Sequence, residues 1–366
     1  MRRKFSGLIH IYLGGCVPTL TNWLQKILDC DYKIHTDLDE YCALSEKNKL
    51  ALIHGLDFKH DLKTQIKRIS EASNLVFVIE SQLHNHYIDL LKTFSGQSIF
   101  WVVPGFLNQS ANSNLIFWGH WFDRLKELYH ALPKQLEQFK SHDIKEQSFE
   151  ALLGKKKPHR DFVYRSVKNN HLMDEFIIRY AGEENVSNFY APDYFIWEPN
   201  LIEVEPDVPL IGSSKLFYYH GMATELCSII PTQVYRNTAY SIVAETNYNN
   251  AYTFFTEKTA KPLIGKRLFV VFSGCKFLHN LRKLGFKTFD TVIDESYDTI
   301  EDQNDRFTQA FEQVKKLCEM DQEKILQDIK PIVEHNFEII MRTDWKDKVF
   351  KDIHSTLHKY DLQSSI

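Results

Sequence analysis

Short, uninterrupted apolar runs separated by amphipathic stretches constrain this chain more than any other feature. In its first third they are Gly7–Leu13, Leu50–His54, Asn74–Ile79, Ser98–Val103 and Leu115–Trp118. None alternates apolar with polar residues, as a strand with one wet face does. A continuous run marks a parallel strand covered on both faces. Between the runs, Leu20–Leu28, Asp61–Ser70 and His84–Thr93 have helical spacing. Strand–helix–strand order of this kind predicts a doubly wound α/β domain.

The pattern fades in the polar stretch Gln135–Gln147, which reads as a linker, and restarts with a strand at Phe149–Leu153. A helix from about His159 to Asn169 follows, then strands Phe176–Tyr180, Lys215–Tyr219, Ala239–Glu245 and Leu268–Phe272. Gln303–His358 is amphipathic and charged, so it reads as helical. At 366 residues the chain is long enough for two cores. The expectation is an N-terminal α/β domain over 1–142, a C-terminal α/β domain over 148–340 and a terminal helix over 341–366. Two Rossmann-like domains of this type face a cleft at the carboxyl ends of their strands, where α/β ligands bind.

Charge and cysteines narrow the setting. The 48 acidic against 44 basic side chains give a net charge of −4, which argues against a broad nucleic-acid surface. The six cysteines include no Cys-x-x-Cys pair, so a zinc ribbon is not indicated and the reading is a reducing, cytoplasmic setting. The basic start Met1–Phe5 precedes an apolar stretch, Leu8–Leu13, that His10 interrupts. A first strand explains it better than a signal peptide. No run approaches the ~20 apolar residues of a membrane span, while a peripheral membrane contact through a basic patch stays open. The sequence specifies no oligomeric state.

Two blocks carry chemistry. The first runs from Glu245 to Pro262. Glu245 ends the apolar strand Ser241–Ala244, and after a polar loop Thr256 is placed to cap a helix whose first turn holds Glu257 and Lys258. A carboxylate there suits a ribose diol, and an ammonium at a helix N-terminus suits a diphosphate. The plain alternative is a capped helix with surface charges. The second block is Gly154-Lys-Lys-Lys-Pro-His-Arg-Asp161, in which Lys155, Lys156, Lys157, Arg160 and His159 gather at the entry to a helix. It reads as an anion site, with Arg160 suited to a bidentate contact, or as a solvated basic loop. Asp37-Leu-Asp39 matches the Asp-x-Asp metal pattern only at a spacing common by chance. No His-Glu-x-x-His array, Gly-x-Ser-x-Gly elbow or nucleotide phosphate loop is present.

The run Ala244-Glu-Thr…Phe255-Thr-Glu-Lys-Thr…Lys261-Pro-Leu resembles the donor-binding signature of family 10 glycosyltransferases, the α1,3-fucosyltransferases. The likeness continues through Leu268–Phe272, Ser273-Gly274 and Leu281–Phe289 to Asp294-Glu-Ser-Tyr-Asp298, and covers roughly residues 148–310. Leu153–Phe162 resembles a block of the same group, which bacteria and their phages often encode. Thr246 stands where that family carries Asn, and Phe255 where it carries an aliphatic residue.

The resemblance implies a GT-B architecture, a nucleotide-sugar donor (GDP-fucose-like), inversion at the sugar carbon, and neither a metal nor a separate cofactor. It implies Glu257 on the donor ribose or sugar and Lys258 on the diphosphate. A second phosphate contact comes from Arg160, with Arg165 and Lys168 as alternatives in neighbouring register, and Lys157 belongs to the substrate-binding set. Thr256 and Glu245 complete the substrate-binding set. A general base has to come from the N-terminal domain. Glu80, at the end of Leu75–Ile79, is the candidate, with Asp123 and His120 as alternatives in the aromatic cluster Trp118–Asp123. Glu80 reads equally as a solvated or helix-capping acid, and the cluster reads as core or as a sugar platform. The expected acceptor is a glycan or lipid-linked glycan. The competing functions are a non-catalytic nucleotide- or carbohydrate-binding module and sugar transfer to modified DNA.

Overall fold

The computed structural model describes residues 8–15, 17–28, 30–46, 48–54, 61–80, 85–94, 98–108, 114–139, 143–182, 198, 201–204 and 216–359. The basic start Met1–Phe5 lies outside the described residues. The chain divides into two compact units. Unit 1 comprises residues up to His120 together with those from Asp344 on, and unit 2 runs from Trp121 to Thr343. The polar stretch expected to be the linker therefore falls inside unit 2.

Unit 1 is built on a six-stranded sheet. Its strands are β1 (Ile9–Gly14), β2 (Tyr32–His35), β3 (Lys49–His54), β4 (Leu75–Ile79), β5 (Ile99–Val103) and β7 (Leu115–Phe117), with a short β6 (Gly105–Leu107) between the last two. They lie in the order β2-β1-β3-β4-β5-β7 and every pairing is parallel. All residues of β1, β4 and β5 are buried, which is why their sequences are apolar without alternation. The crossover helices are α1 (Val17–Ile27), α2 (Leu38–Ala43), α3 (Leu62–Ala72) and α4 (Asn85–Thr93). β2 lies on one side of β1 and β3, β4, β5 and β7 on the other, so the strand order reverses at β1.

Unit 2 opens with α5 (His120–His130) and α6 (Pro133–Glu137), the first of which begins at the unit boundary. Its main sheet has the order β15-β13-β8-β9, all parallel. The strands are β8 (Gln147–Lys155), β9 (Phe176–Gly182), β13 (Thr238–Ala244) and β15 (Phe269–Phe272). Inserted between β9 and β13 is an antiparallel three-stranded sheet of β10 (Leu201–Val204), β11 (Leu216–Tyr219) and β12 (Met222–Glu225). The crossover helices are α7 (Pro158–Asn169), α8 (Thr232–Asn237) and, after the short β14 (Tyr252–Phe254), α9 (Glu257–Ile264). Then come α10 (Phe277–Lys283), α11 (Gln303–Glu319) and α12 (Gln322–Arg342). Asp302 and Asp321 cap α11 and α12, each accepting hydrogen bonds from two free N–H groups of the first turn.

The last helix, α13 (Trp345–Lys359), belongs to unit 1. Its Val349, Ile353 and Leu357 join Leu20, Trp23, Leu24 and Ile27 of α1 in one buried cluster, so the C-terminal segment closes the first core. The α/β class, the parallel sheets and the helical C-terminal segment are as the sequence implies. No described helix is long and apolar enough to cross a membrane.

Candidate functional site

In unit 2 the chain leaves β8 for β9 on one side and returns to β13 on the other. The strand order thus reverses between β8 and β13, and the loops after these two strands part there. Such a switch point opens a crevice at the carboxyl edge of a parallel sheet. The two chemistry-bearing blocks are those two loops. The one after β8 leads through Lys156 and Lys157 into α7. The one after β13 leads through Glu245 to Asn250, then to α9.

Glu245 is fully buried at the edge of β13. Its carboxylate accepts from the Thr246 N–H (3.0 Å), the Thr256 N–H (3.1 Å), the Thr256 hydroxyl (2.6 Å) and the Thr259 hydroxyl. A carboxylate has about four acceptor positions, and the chain's own donors use them. The ribose diol expected of Glu245 has no acceptor left. This side chain instead ties the strand end to the cap of α9. Thr256 is the N-cap residue, and its hydroxyl also accepts from the Lys258 N–H at 3.2 Å.

Lys258 and Lys157 reach Thr246 from two sides. The Lys157 ammonium donates to the Thr246 carbonyl at 2.6 Å, and that of Lys258 lies 3.4 Å from the Thr246 hydroxyl. Lys258 also pairs with the Glu257 carboxylate at 2.5 Å. Burial alone would raise the Glu257 carboxyl. The charge and hydrogen bond of Lys258, with the charge of Lys261, outweigh it and hold the group below the usual carboxylate range. Lys157 is the opposite case. Burial, then the charges of Arg160 and Lys258, lower its ammonium to about 8 against only the charge of Glu245. The edge is short of negative charge.

Arg160 is buried and donates to main-chain carbonyls, to Lys155 at 3.1 Å, Glu245 at 3.4 Å and Ala244 at 3.5 Å. These bonds join the ends of β8 and β13. The guanidinium therefore supplies charge from beneath the edge, where a bidentate phosphate contact was expected. His159, fully buried, donates from Nε2 to the Glu245 carbonyl at 2.7 Å, while its Nδ1 is buried without a partner. Burial and the neighbouring charges of Arg160, Lys157 and Lys258 hold this imidazole far below its ordinary value, so it is neutral. The ring of half-buried Tyr248 packs against that imidazole in a tilted arrangement, with centroids 5.1 Å apart and planes at 31°.

The Asn247–Tyr252 loop is held from within and from below. Asn247 donates to the carbonyls of Asn249 (3.0 Å) and Tyr252 (2.6 Å), and the Ser273 hydroxyl donates to the Asn247 carbonyl at 2.8 Å. At Gly274 a Cβ would stand 2.1 Å from the Asn249 carbonyl oxygen, so only glycine lets these two loops meet.

The other expected residues lie elsewhere. Arg165 is exposed on α7 and paired with Asp161 at 2.9 Å, and Lys168 is exposed in the last turn of that helix. Glu80 belongs to unit 1, at the carboxyl end of β4, and is 0% exposed. An acceptor hydroxyl has no access to it in this state. Of the aromatic cluster, Trp118 packs edge-on against Trp23 in the first core. Phe122 packs against Phe255 and Phe286 in the second. Asp123 is buried in the first turn of α5, and the His120 ring lies 4.5 Å from that of Trp118. Asp37 caps α2 and Asp39 pairs with Arg68, so the Asp-x-Asp pair serves local structure. Among the described residues, no three His, Cys, Asp or Glu side chains gather to hold a metal ion.

Thr246 and Tyr248 are the residues the sequence reading did not single out as site residues. The signal for Thr246 was its departure from the family's Asn. No family model and no curated protein matches the chain. A solved structure, the catalytic domain of starch synthase IV from Arabidopsis thaliana bound to ADP and acarbose, is similar over 95% of this chain and 73% of that one. The TM-score is 0.35 and the identity 11%, too low for that likeness to carry an assignment.

Proposed function

We propose that the carboxyl edge of unit 2 binds the diphosphate of a nucleotide sugar and that the protein transfers the sugar to a glycan hydroxyl. The observation that carries this reading is the convergence of Lys157 and Lys258 on Thr246 at the switch point, over buried Arg160, with Lys157 lowered to about 8 by burial and then by its cationic neighbours. A diphosphate is the ligand that relieves this imbalance, and the N-termini of α7 and α9 favour the same charge. The resemblance to fucosyltransferases supports a GDP-sugar as donor. In the reaction the bond from the sugar carbon to the diphosphate oxygen breaks, with its electrons going to the diphosphate. The acceptor oxygen bonds to that carbon, and its proton passes to a base. Lys258, Lys157 and the charge of Arg160 stabilise the leaving group. Glu257, held ionised by Lys258, is the group we assign to a sugar or ribose hydroxyl.

The test is release of nucleoside diphosphate from a panel of GDP-, UDP-, ADP- and dTDP-sugars. One donor class should turn over, and Lys258→Ala should slow it by roughly a hundredfold or more while the chain stays folded at the assay temperature. Tight binding without turnover of any donor would instead identify a binding module.

A further inference from the structure

Resting on the diphosphate site just proposed, we infer that Tyr248 is the platform on which the nucleobase of the ligand stacks. Three observations carry this. The ring is half-buried and packs, tilted by 31°, against that of His159, which is fully enclosed and fixed by its bond to the Glu245 carbonyl. A ring packed against a fixed imidazole has little freedom left to lose when something stacks on it. Tyr248 follows Thr246 by two residues, and two residues span at most ~7 Å, about the length of a ribose. Thr246 is where both ammoniums converge. A ligand with its diphosphate on Lys157 and Lys258 thus carries its base into reach of Tyr248. The loop is also rigid: Asn247 bonds the carbonyls of Asn249 and Tyr252, and Gly274 admits the Asn249 carbonyl beneath it. Stacking on an aromatic face tolerates any base. The platform therefore adds affinity for nucleotides as a class, and base identity is read elsewhere.

The experiment compares GDP, UDP and methyl diphosphate, which has no base, by calorimetry on the full chain. Wild type should bind the nucleotides more tightly than methyl diphosphate by roughly tenfold or more. Tyr248→Leu, which still covers His159 but has no π face, should erase that advantage and leave methyl diphosphate binding unchanged. Tyr248→Phe should preserve it. The inference is overturned if Tyr248→Leu leaves the nucleotide advantage intact. Equal weakening of all three ligands overturns it too, since Tyr248 would then act through the cations. A GDP-sugar weakened by Tyr248→Leu while GDP is untouched would make the donor sugar the occupant, and overturn it as well. If wild type binds neither the nucleotides nor methyl diphosphate, the diphosphate site itself is refuted and the platform falls with it.

Discussion

Binding of a nucleoside diphosphate should take up a proton at Lys157, and the pH dependence of affinity should show it. In the free protein the Lys157 ammonium is lowered to about 8 by burial and by the charges of Arg160 and Lys258. A dianionic phosphate beside it favours the charged form and returns the group toward its ordinary value. The sign follows directly. Below pH 8 the free lysine is already protonated and binding is strongest. Above pH 8 the lysine must first acquire a proton, so affinity falls as pH rises. With a free-state value of about 8, roughly nine-tenths of the lysine is charged at pH 7 and a tenth at pH 9. The apparent Kd should therefore weaken about tenfold between these two values. The terminal phosphate, with its second pKa near ~6, no longer titrates in this window. Calorimetry in two buffers of different ionisation enthalpy should give an uptake of about half a proton at pH 8. Lys157→Gln should bind more weakly and lose both the uptake and the slope. A Kd that stays flat from pH 7 to 9 in wild type, with no buffer-dependent heat, would refute this electrostatic reading of the edge.

Four further outcomes follow. Glu245→Ala strands four donors around a buried site and should cost roughly 3 kcal/mol or more of stability in urea denaturation. A variant as stable as wild type but unable to bind nucleotide would make Glu245 a ligand contact after all. Gly274→Ala forces a carbon against the Asn249 carbonyl and should lower stability by roughly 2 kcal/mol, and an unchanged Tm would disprove the close approach. Glu257→Gln removes the charge that pairs with Lys258, and should weaken sugar-nucleotide turnover more than it weakens binding of the bare nucleoside diphosphate. Equal losses would remove Glu257 from the sugar or ribose contact. Glu80→Gln discriminates two roles: a general base would show a loss of roughly a hundredfold or more in transfer, whereas the enclosed position predicts transfer within severalfold of wild type and an altered Tm.

The strands were legible because burial on both faces is written locally: Leu75–Ile79 is apolar at every position and is a fully buried parallel strand. The caps were legible for the same reason, since Thr256 and the first turn it closes are adjacent in sequence. The fate of Glu245 was not. Whether its carboxylate meets a ribose or the chain depends on Thr256 and Thr259, 11 and 14 residues away, and on how the intervening loop folds back. Arg160 misled in the same way, because its carbonyl partners at Ala244 and Glu245 lie 84 and 85 residues away. The placement of α5 and α6 in unit 2, and of α13 in unit 1, rests on packing between segments far apart in sequence. The meander β10–β12 was seen only at β11, since four-residue strands carry little periodic signal.

The central claim is that the edge between β8 and β13 is a diphosphate site, and a thermal-shift series on the full chain tests it most directly. GDP, UDP, ADP and dTDP at about a hundred times their Kd should stabilise the protein by ~2.7 kcal/mol, a rise of roughly 5 °C or more for units of this size. Lys157→Gln combined with Lys258→Ala should abolish that rise, measured from the variant's own ligand-free Tm. A protein that none of the four nucleotides stabilises, or a double variant stabilised as much as wild type, would contradict the claim.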